Sequence, residues 1–349
     1  MGRVGMNPAR NRMSDYRPAK VTLAVLTSIP HHVGYFSGRF DVLKLCLASL
    51  VKHTKDPYDL LVFDNASCGE VKDFLRDLQE QGVIRFLVNS SENVGKLGAL
   101  QLIAQASPGE IIAYCDDDTF FYPGWLPAHI ELMEWFPNVG VVSGMIWRTL
   151  YDHGIRGNMQ MAERDPDIDL IFGQNIPEQW EIDYAISLGR DLQPHLDLIR
   201  QLEDIIIERD GVRAFAAAGH SQFVIRKEIL QKYLPDQWTG RMMGGMMDFD
   251  NAVADADYLR LSTYERTTRN IGGLITEDIA EEAKRLSLPI EEKSWEKINV
   301  RKASIATRFL RWSPIRWFLQ GLYNRLFWLL SNQSGGWFDE EEVLGNQTE

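Results

Sequence analysis

The chain is poor in cysteine, in long apolar runs and in positive charge. Its three cysteines, Cys46, Cys68 and Cys115, lie far apart with no C-x-x-C pair, so no disulfide framework is indicated and a reducing compartment is the simpler expectation. No stretch approaches the roughly 20 apolar residues that a membrane-spanning helix needs, and the Arg-rich residues 1–19 lack the apolar run of a secretory signal. The predicted location is cytoplasmic. A net charge of −12 weighs against a protein that coats nucleic acid, and no nucleic-acid partner is expected. The segment after the first apolar run, S-I-P-H-H-V-G-Y, lacks the Gly-rich basic loop that would cradle a triphosphate. That absence disfavours a nucleotidyltransferase.

What is present is enough apolar sequence, 45% of residues, for one large α/β core. Val21 to Thr27 reads as a buried parallel strand and Arg39 to Lys52 as a helix with Phe40, Leu43, Leu47 and Leu50 on one face. Asp59 to Asp64 is a second strand ending on a carboxylate. A helix over Val71 to Gln81, a strand over Ile84 to Asn89, a helix over Lys96 to Ala106 and a strand over Ile111 to Cys115 follow. The last runs directly into Asp116-Asp117-Asp118. The alternation predicts a mostly parallel central sheet flanked by helices. Ligands in such sheets sit beyond the carboxyl ends of the strands, so Asp64 and Asp116 to Asp118 point to one crevice. Residues 152–210 read as an insertion that shapes the site, with a long helix from about Asp191 to Arg209. Residues 214–230 then turn from strand-like to helical.

Three adjacent carboxylates repel one another and are costly unless a cation or hydrogen-bond donors neutralise them. An isolated triplet is most simply a solvated acidic turn, but a solvated turn gives no reason for a buried strand to deliver it beside a second strand-end carboxylate. Mg²⁺ or Mn²⁺ would take one or two of the carboxylates together with diphosphate oxygens.

In this order and spacing V-T-L-A-V-L-T, L-L-V-F-D-N-A-S, N-V-G-K-L-G-A-L and E-I-I-A-Y-C-D-D-D-T-F-F-Y-P-G-W-L resemble the nucleotide-binding half of the family 2 glycosyltransferases, over residues 21–145. The resemblance implies a GT-A (Rossmann-like) fold and a nucleotide-diphospho-sugar as donor. By it Thr27 and Asp64 would line the base and ribose pocket, Asp116 and Asp117 would contact the ribose or nearby phosphate, and Asp118 would hold Mn²⁺ or Mg²⁺. Asn93, Gly95 and Lys96 would lie near the nucleotide, with Lys96 paired to a phosphate. Gly95 is equally explained by a tight turn and Lys96 by an exposed helix start.

The family's later Gly-Glu-Asp-type segment is matched only in part by Gly244-Gly245-Met246-Met247-Asp248-Phe249-Asp250, where Met247 replaces the glutamate and Ala254 the expected basic residue. Asp248 would be the base that takes the acceptor proton in an inverting transfer, with Asp250 in reserve. Both also suit the first turn of a helix. His220 is a further candidate for contact with acceptor or diphosphate, and Asn270 stands where some metal-dependent relatives carry a late histidine.

In residues 303–330, Arg308, Arg311, Arg316 and Arg325 interleave with Trp312, Trp317, Phe318, Phe327 and Trp328. That composition suits an amphipathic C-terminal helix on a membrane surface, and suits equally a helix packed on the core. The expected organisation is a loose arm (1–19), a glycosyltransferase domain (20–275, divided at 145/146 into nucleotide and acceptor halves), and a helical extension with an acidic tail (276–349). The expected activity is metal-dependent, inverting transfer of a sugar to a glycan, lipid-linked or small-molecule acceptor, with peripheral association at the cytoplasmic membrane face through 303–330. A non-catalytic nucleotide-sugar-binding protein of the same fold is the main alternative.

Overall fold

A computed structural model describes residues 15–152, 154–236 and 245–290. Its first half is a run of strand–helix units: β1 (Val21–Thr27), α1 (Arg39–His53), β2 (Tyr58–Asn65), α2 (Gly69–Glu80), β3 (Phe86–Ser90), α3 (Gly95–Ala106) and β4 (Ile111–Asp116). β5 (Thr119–Phe121), α4 (Trp125–Trp135), β6 (Val139–Ser143), α5 (Arg156–Arg164), β7 (Ile168–Gly173), α6 (Glu178–Ser187) and α7 (Leu192–Ile199) come next. β8 (Asp204–Arg209), β9 (Val212–Phe215), β10 (Gln222–Arg226), α8 (Lys227–Tyr233), α9 (Met246–Asp255), β11 (Leu259–Thr263), β12 (Thr268–Asn270) and α10 (Glu277–Arg285) complete the described elements.

Ten strands form one sheet in the order β3-β2-β1-β4-β10-β6-β11-β9-β8-β7. β3, β2, β1 and β4 are parallel neighbours. β10 is inserted antiparallel to both β4 and β6, and β11 runs parallel to β6, so β6 and β11 keep the direction of the first four. Only the far end, β11-β9-β8-β7, is an antiparallel meander. The result is the mixed α/β arrangement, with a large and mostly parallel sheet between helices, that the sequence predicts.

β1 explains the layering. Its side chains alternate between faces, so Leu23 and Val25 join one buried cluster and Ala24 and Leu26 another. The first cluster packs under α1, α2 and α4 through Leu43, Leu47, Leu75 and Trp125; the second packs under α3, α8 and α9 through Leu100, Ile229 and Phe249. Each such leucine, buried fully, contributes about 1.5–3 kcal/mol. α10 closes the end beyond the triplet, where Ile279 and Ala283 pack with Val42, Leu45 and Phe120.

One expected element is wrong. The helix anticipated from Asp191 to Arg209 stops at Ile199, and Asp204–Arg209 is strand β8, paired with β7 and β9. The β-branched run Ile205-Ile206-Ile207 fits a pleated sheet better than a helix, where branched side chains crowd the preceding turn. Residues 152–210 thus extend the central sheet. The stretch 303–330, on which the membrane expectation falls, lies outside the described residues.

Candidate active site

The register of three strands assembles the site. Thr27 ends β1 opposite Asp64 on β2, and its neighbour Leu26 stands opposite Asp116 on β4. Apolar strands buried on both faces can end on carboxylates only where the sheet gives way to loops, and all three do so at the same end. Thr27 Oγ1 donates to Asp117 Oδ2 at 2.6 Å. Asp64 is fully buried; its Oδ1 accepts the Ser67 N–H at 3.0 Å, whereas its Oδ2 has no partner among the described residues.

The triplet is neutralised from inside the protein. Lys96, in the first turn of α3, is buried rather than exposed, and its Nζ reaches both oxygens of Asp116 at 2.9 and 2.7 Å. Tyr114 donates to the same carboxylate at 2.6 Å. Arg39, at the start of α1, pairs with Asp117, with Asp118 Oδ2 at 2.9 Å and with the Gly272 carbonyl at 3.0 Å. Burial pulls the Arg39 guanidinium down, but Asp117 and Asp118 outweigh it and hold the group above its ordinary value. Burial pushes the Asp117 carboxyl up to about 6, against the opposing pull of Arg39 and Thr27 and with the added push of Asp118 and Asp116.

Arg39 was not foreseen. The only signal was the triplet's own need for cations, and an arginine beside the apolar face of a helix announces no partner 78 residues away. Asn93 builds the floor below Lys96: its Oδ1 accepts from Asn65 Nδ2 and from the Gly95 N–H, both at 2.8 Å, and Asn65 Oδ1 accepts the Val94 N–H at 2.8 Å. Gly95 starts α3 at a φ of 71°, a left-handed conformation that glycine adopts without strain.

The second half contributes from two directions. β12 pairs antiparallel with β5, setting Asn270 opposite Thr119, and the Ile271 N–H donates to the Asp118 carbonyl at 2.7 Å. Asn270 Oδ1 and Thr119 Oγ1 are buried and unpartnered among the described residues. From the other side, the Ser221 carbonyl accepts the Asp116 N–H at 2.8 Å, which brings His220 beside the triplet. His220 Nδ1 lies 3.4 Å from Asp250 Oδ2, and Asp250 Oδ1 is 2.8 Å from the buried Arg260. The two acids of α9 therefore differ: Asp248 is exposed in the first turn, whereas Asp250 is buried in ion pairs.

Among the described residues no three His, Cys, Asp or Glu side chains converge to hold a metal alone. Asp118 engages only Arg39 through its carboxylate, by Oδ2. An open carboxylate oxygen beside further acids fits a hard divalent cation whose coordination is completed by substrate oxygens and water.

Residues 35–196 match the family model described as glycosyl transferase family 2. No curated protein sequence matches the chain. Among solved structures, the mannosyltransferase PcManGT from Pyrobaculum calidifontis, in complex with GDP-Man and Mn²⁺, is 16% identical with a TM-score of 0.39. The overlap covers 71% of this chain and 55% of that one, so the chain spans little more than half its length. TarS 1–349 of S. aureus is 10% identical with a TM-score of 0.39, over 78% of this chain and 67% of that one. A second structure of TarS 1–349, in complex with UDP-GlcNAc, is 15% identical with a TM-score of 0.28, over 36% and 34%. No helix among the described residues is long and apolar enough to cross a membrane. The family match spans the triplet and the strands that deliver it: the chain carries a family 2 glycosyltransferase domain and is a glycosyl-transferring enzyme.

Proposed function

We propose that the enzyme moves a sugar from a nucleoside-diphosphate donor to an acceptor hydroxyl in a metal-dependent, inverting reaction. The observation that carries this reading is the set of acids on three adjacent strand ends, one of them keeping a buried, unpartnered oxygen. A buried acceptor without a donor costs about 1–3 kcal/mol, and the N–H of a nucleobase is the complement of Asp64 Oδ2. Thr27, Asp116 and Asp117 would line the ribose and its phosphate. Lys96 is a buried cation that can be shared between Asp116 and a phosphate, while Asn93 and Gly95 set the loop that carries it. Asp118 would hold Mn²⁺ or Mg²⁺, which when bound offsets the charge that develops on the departing diphosphate.

Asp248, exposed in the first turn of α9, is assigned as the base. It removes the acceptor proton as the acceptor oxygen bonds to the anomeric carbon and the bond to the diphosphate oxygen breaks, its electron pair leaving with the nucleoside diphosphate. One observation favours a second reading of the base. His220 is held by Asp250, leaves its Nε2 without a hydrogen bond among the described residues and adjoins the triplet, so it could take the proton while Asp250 orients it. UDP, GDP and dTDP donors stay open, as do glycan, lipid-linked and small-molecule acceptors. A cytoplasmic location and a membrane contact through residues 303–330 belong to the same proposal.

The test is turnover of a panel of UDP-, GDP- and dTDP-sugars with Mn²⁺, with the product anomer read by NMR. Inverted product or inverted hydrolysed sugar, lost in Asp248→Asn and kept in His220→Gln, supports the reading; the reverse pattern makes His220 the base. Tight nucleotide-sugar binding with no turnover of any donor would favour the non-catalytic binding protein.

A further inference from the structure

Beside the triplet lies a cleft walled by residues that the donor reading leaves unused. It runs between the loop after β6, helix α6 and strand β12, and is lined by Trp147, Trp180, Tyr184, Thr268, Arg269 and Asn270. Trp147 and Tyr184 stack with ring centres 4.2 Å apart and planes 11° from parallel. Gly219 presses against this wall: a Cβ there would come within 3.0 Å of the Trp147 ring. The aromatic wall is therefore fixed to the segment Gly219–Ser221, whose last carbonyl bonds the Asp116 amide. On the opposite side Asn270 belongs to the strand that pairs with Thr119 and is followed by the residue bonded to Asp118. Both walls are thus tied by direct contacts to the backbone of the triplet.

The chemistry of the cleft is aromatic and neutral. Arg266 and Arg269 border it, but Arg266 is paired with Asp183, and Arg269 with Asp183, Asp278 and, at 3.7 Å, Glu282. Their charge is committed to acids of the same region, which disfavours a phosphate or another anion. The polar group left over is Asn270 Oδ1, a buried acceptor without a donor, where buried polar atoms are almost always paired. Aromatic edges for C–H faces, with an unsatisfied acceptor for a hydroxyl, form the complement of a pyranose ring.

We infer that this cleft is the acceptor subsite and that the acceptor presents a neutral pyranoside ring to it. The inference rests on the glycosyl-transfer reading of the same site and names its acceptor class. A sugar ring held here would place its hydroxyls next to the backbone of Asp116–Asp118, with Asn270 accepting from one of them.

The test uses the full chain labelled with 5-fluorotryptophan, with Trp147 and Trp180 assigned by Trp→Phe variants and Mg²⁺ in place of paramagnetic Mn²⁺. Methyl glycosides of glucose, mannose, galactose and N-acetylglucosamine are titrated in the presence of UDP or GDP, with glycerol and glycerol 3-phosphate as controls. The expected result is a saturable shift of the Trp147 and Trp180 signals by at least one pyranoside at millimolar concentration and by neither control. That affinity should fall at least tenfold in Asn270→Ala, and the Trp180 shift should vanish in Trp147→Leu. Asn270→Ala alone decides the matter if Trp147→Leu does not fold. No saturable shift from any pyranoside, a stronger response to glycerol 3-phosphate, or an undiminished response in Asn270→Ala would overturn the inference. If a nucleoside diphosphate still raises the melting temperature while no pyranoside acts, the donor reading stands and only the acceptor inference falls. If neither acts, both fall.

Discussion

Two buried charge clusters, one in each half of the molecule, are built from the same residue types and end differently. Around Asp204 every valence is closed: the fully buried carboxylate accepts from Arg148 Nε at 3.2 Å, and from the Asn175 backbone N–H, Asn175 Nδ2 and the Ile176 N–H, each at 2.9 Å. Glu181, also fully buried, takes the Arg148 N–H at 2.7 Å and lies 3.2 Å from His195. Around Asp116–Asp118 the cations are as deeply buried, but Asp64 Oδ2 and Asn270 Oδ1 are unpartnered and the Asp116 side chain is 26% exposed. A closed network ties α6 and the meander to the loop after β6. An open one has room for a ligand, which is why burial and charge alone do not distinguish architecture from chemistry.

The contrast can be broken first at its closed member. Asp204→Ala should cost about 3–5 kcal/mol of folding free energy, because Arg148 is left buried with an incomplete counter-charge; denaturant unfolding measures it. A loss below 1 kcal/mol would remove the distinction. Asp118→Ala, at the open member, should lose several kcal/mol of transition-state stabilisation in turnover assays, on the order of a hundred-fold or more in rate, with the chemical midpoint nearly unchanged.

The third case is a closed site with a titrating group. His129 is fully buried, with Nδ1 at 2.7 Å from the Trp125 carbonyl, and burial lowers its pKa to about 4, against weaker upward pulls from Trp125 and Gln222. Its folded value lies below its unfolded one, so its contribution is fully present above pH about 6.5 and is lost as pH falls towards about 4, where the unfolded chain binds the proton first. That amounts to roughly 3 kcal/mol. Unfolding free energies between pH 7 and 4 should fall less steeply in His129→Gln. The smallest effect expected is Lys96→Met, which removes a cation shared between Asp116 and a phosphate and should weaken nucleoside-diphosphate binding about tenfold, close to 1.4 kcal/mol, as measured by calorimetry.

The nucleotide half was readable because its signals are local. Short apolar strands, helices with one apolar face and carboxylates at strand ends are all written within ten-residue windows, and their register follows from parallel pairing around β1. The meander was less readable. Ile205-Ile206-Ile207 follows α7 after only four residues, and the partners that make it a strand, Ile171 and Phe215, are distant in sequence. The same distance hid Arg39, which meets Asp117 only after folding, and the division between Asp248 and Asp250, which depends on Arg260 and His220. No window of sequence contains both ends of those ion pairs.

The central claim is that the open cluster binds a nucleoside diphosphate with a divalent cation at Asp118. The direct measurement is the thermal shift of the wild type and of Asp118→Ala with UDP, GDP, dTDP and CMP, each with and without Mn²⁺. A ligand at about a hundred times its Kd stabilises by roughly 2.7 kcal/mol, so one nucleoside diphosphate should raise the wild-type melting temperature by a few degrees only when Mn²⁺ is present. The Asp118→Ala protein should not respond. A shift by no nucleotide, or an equal shift in the variant, would contradict the account.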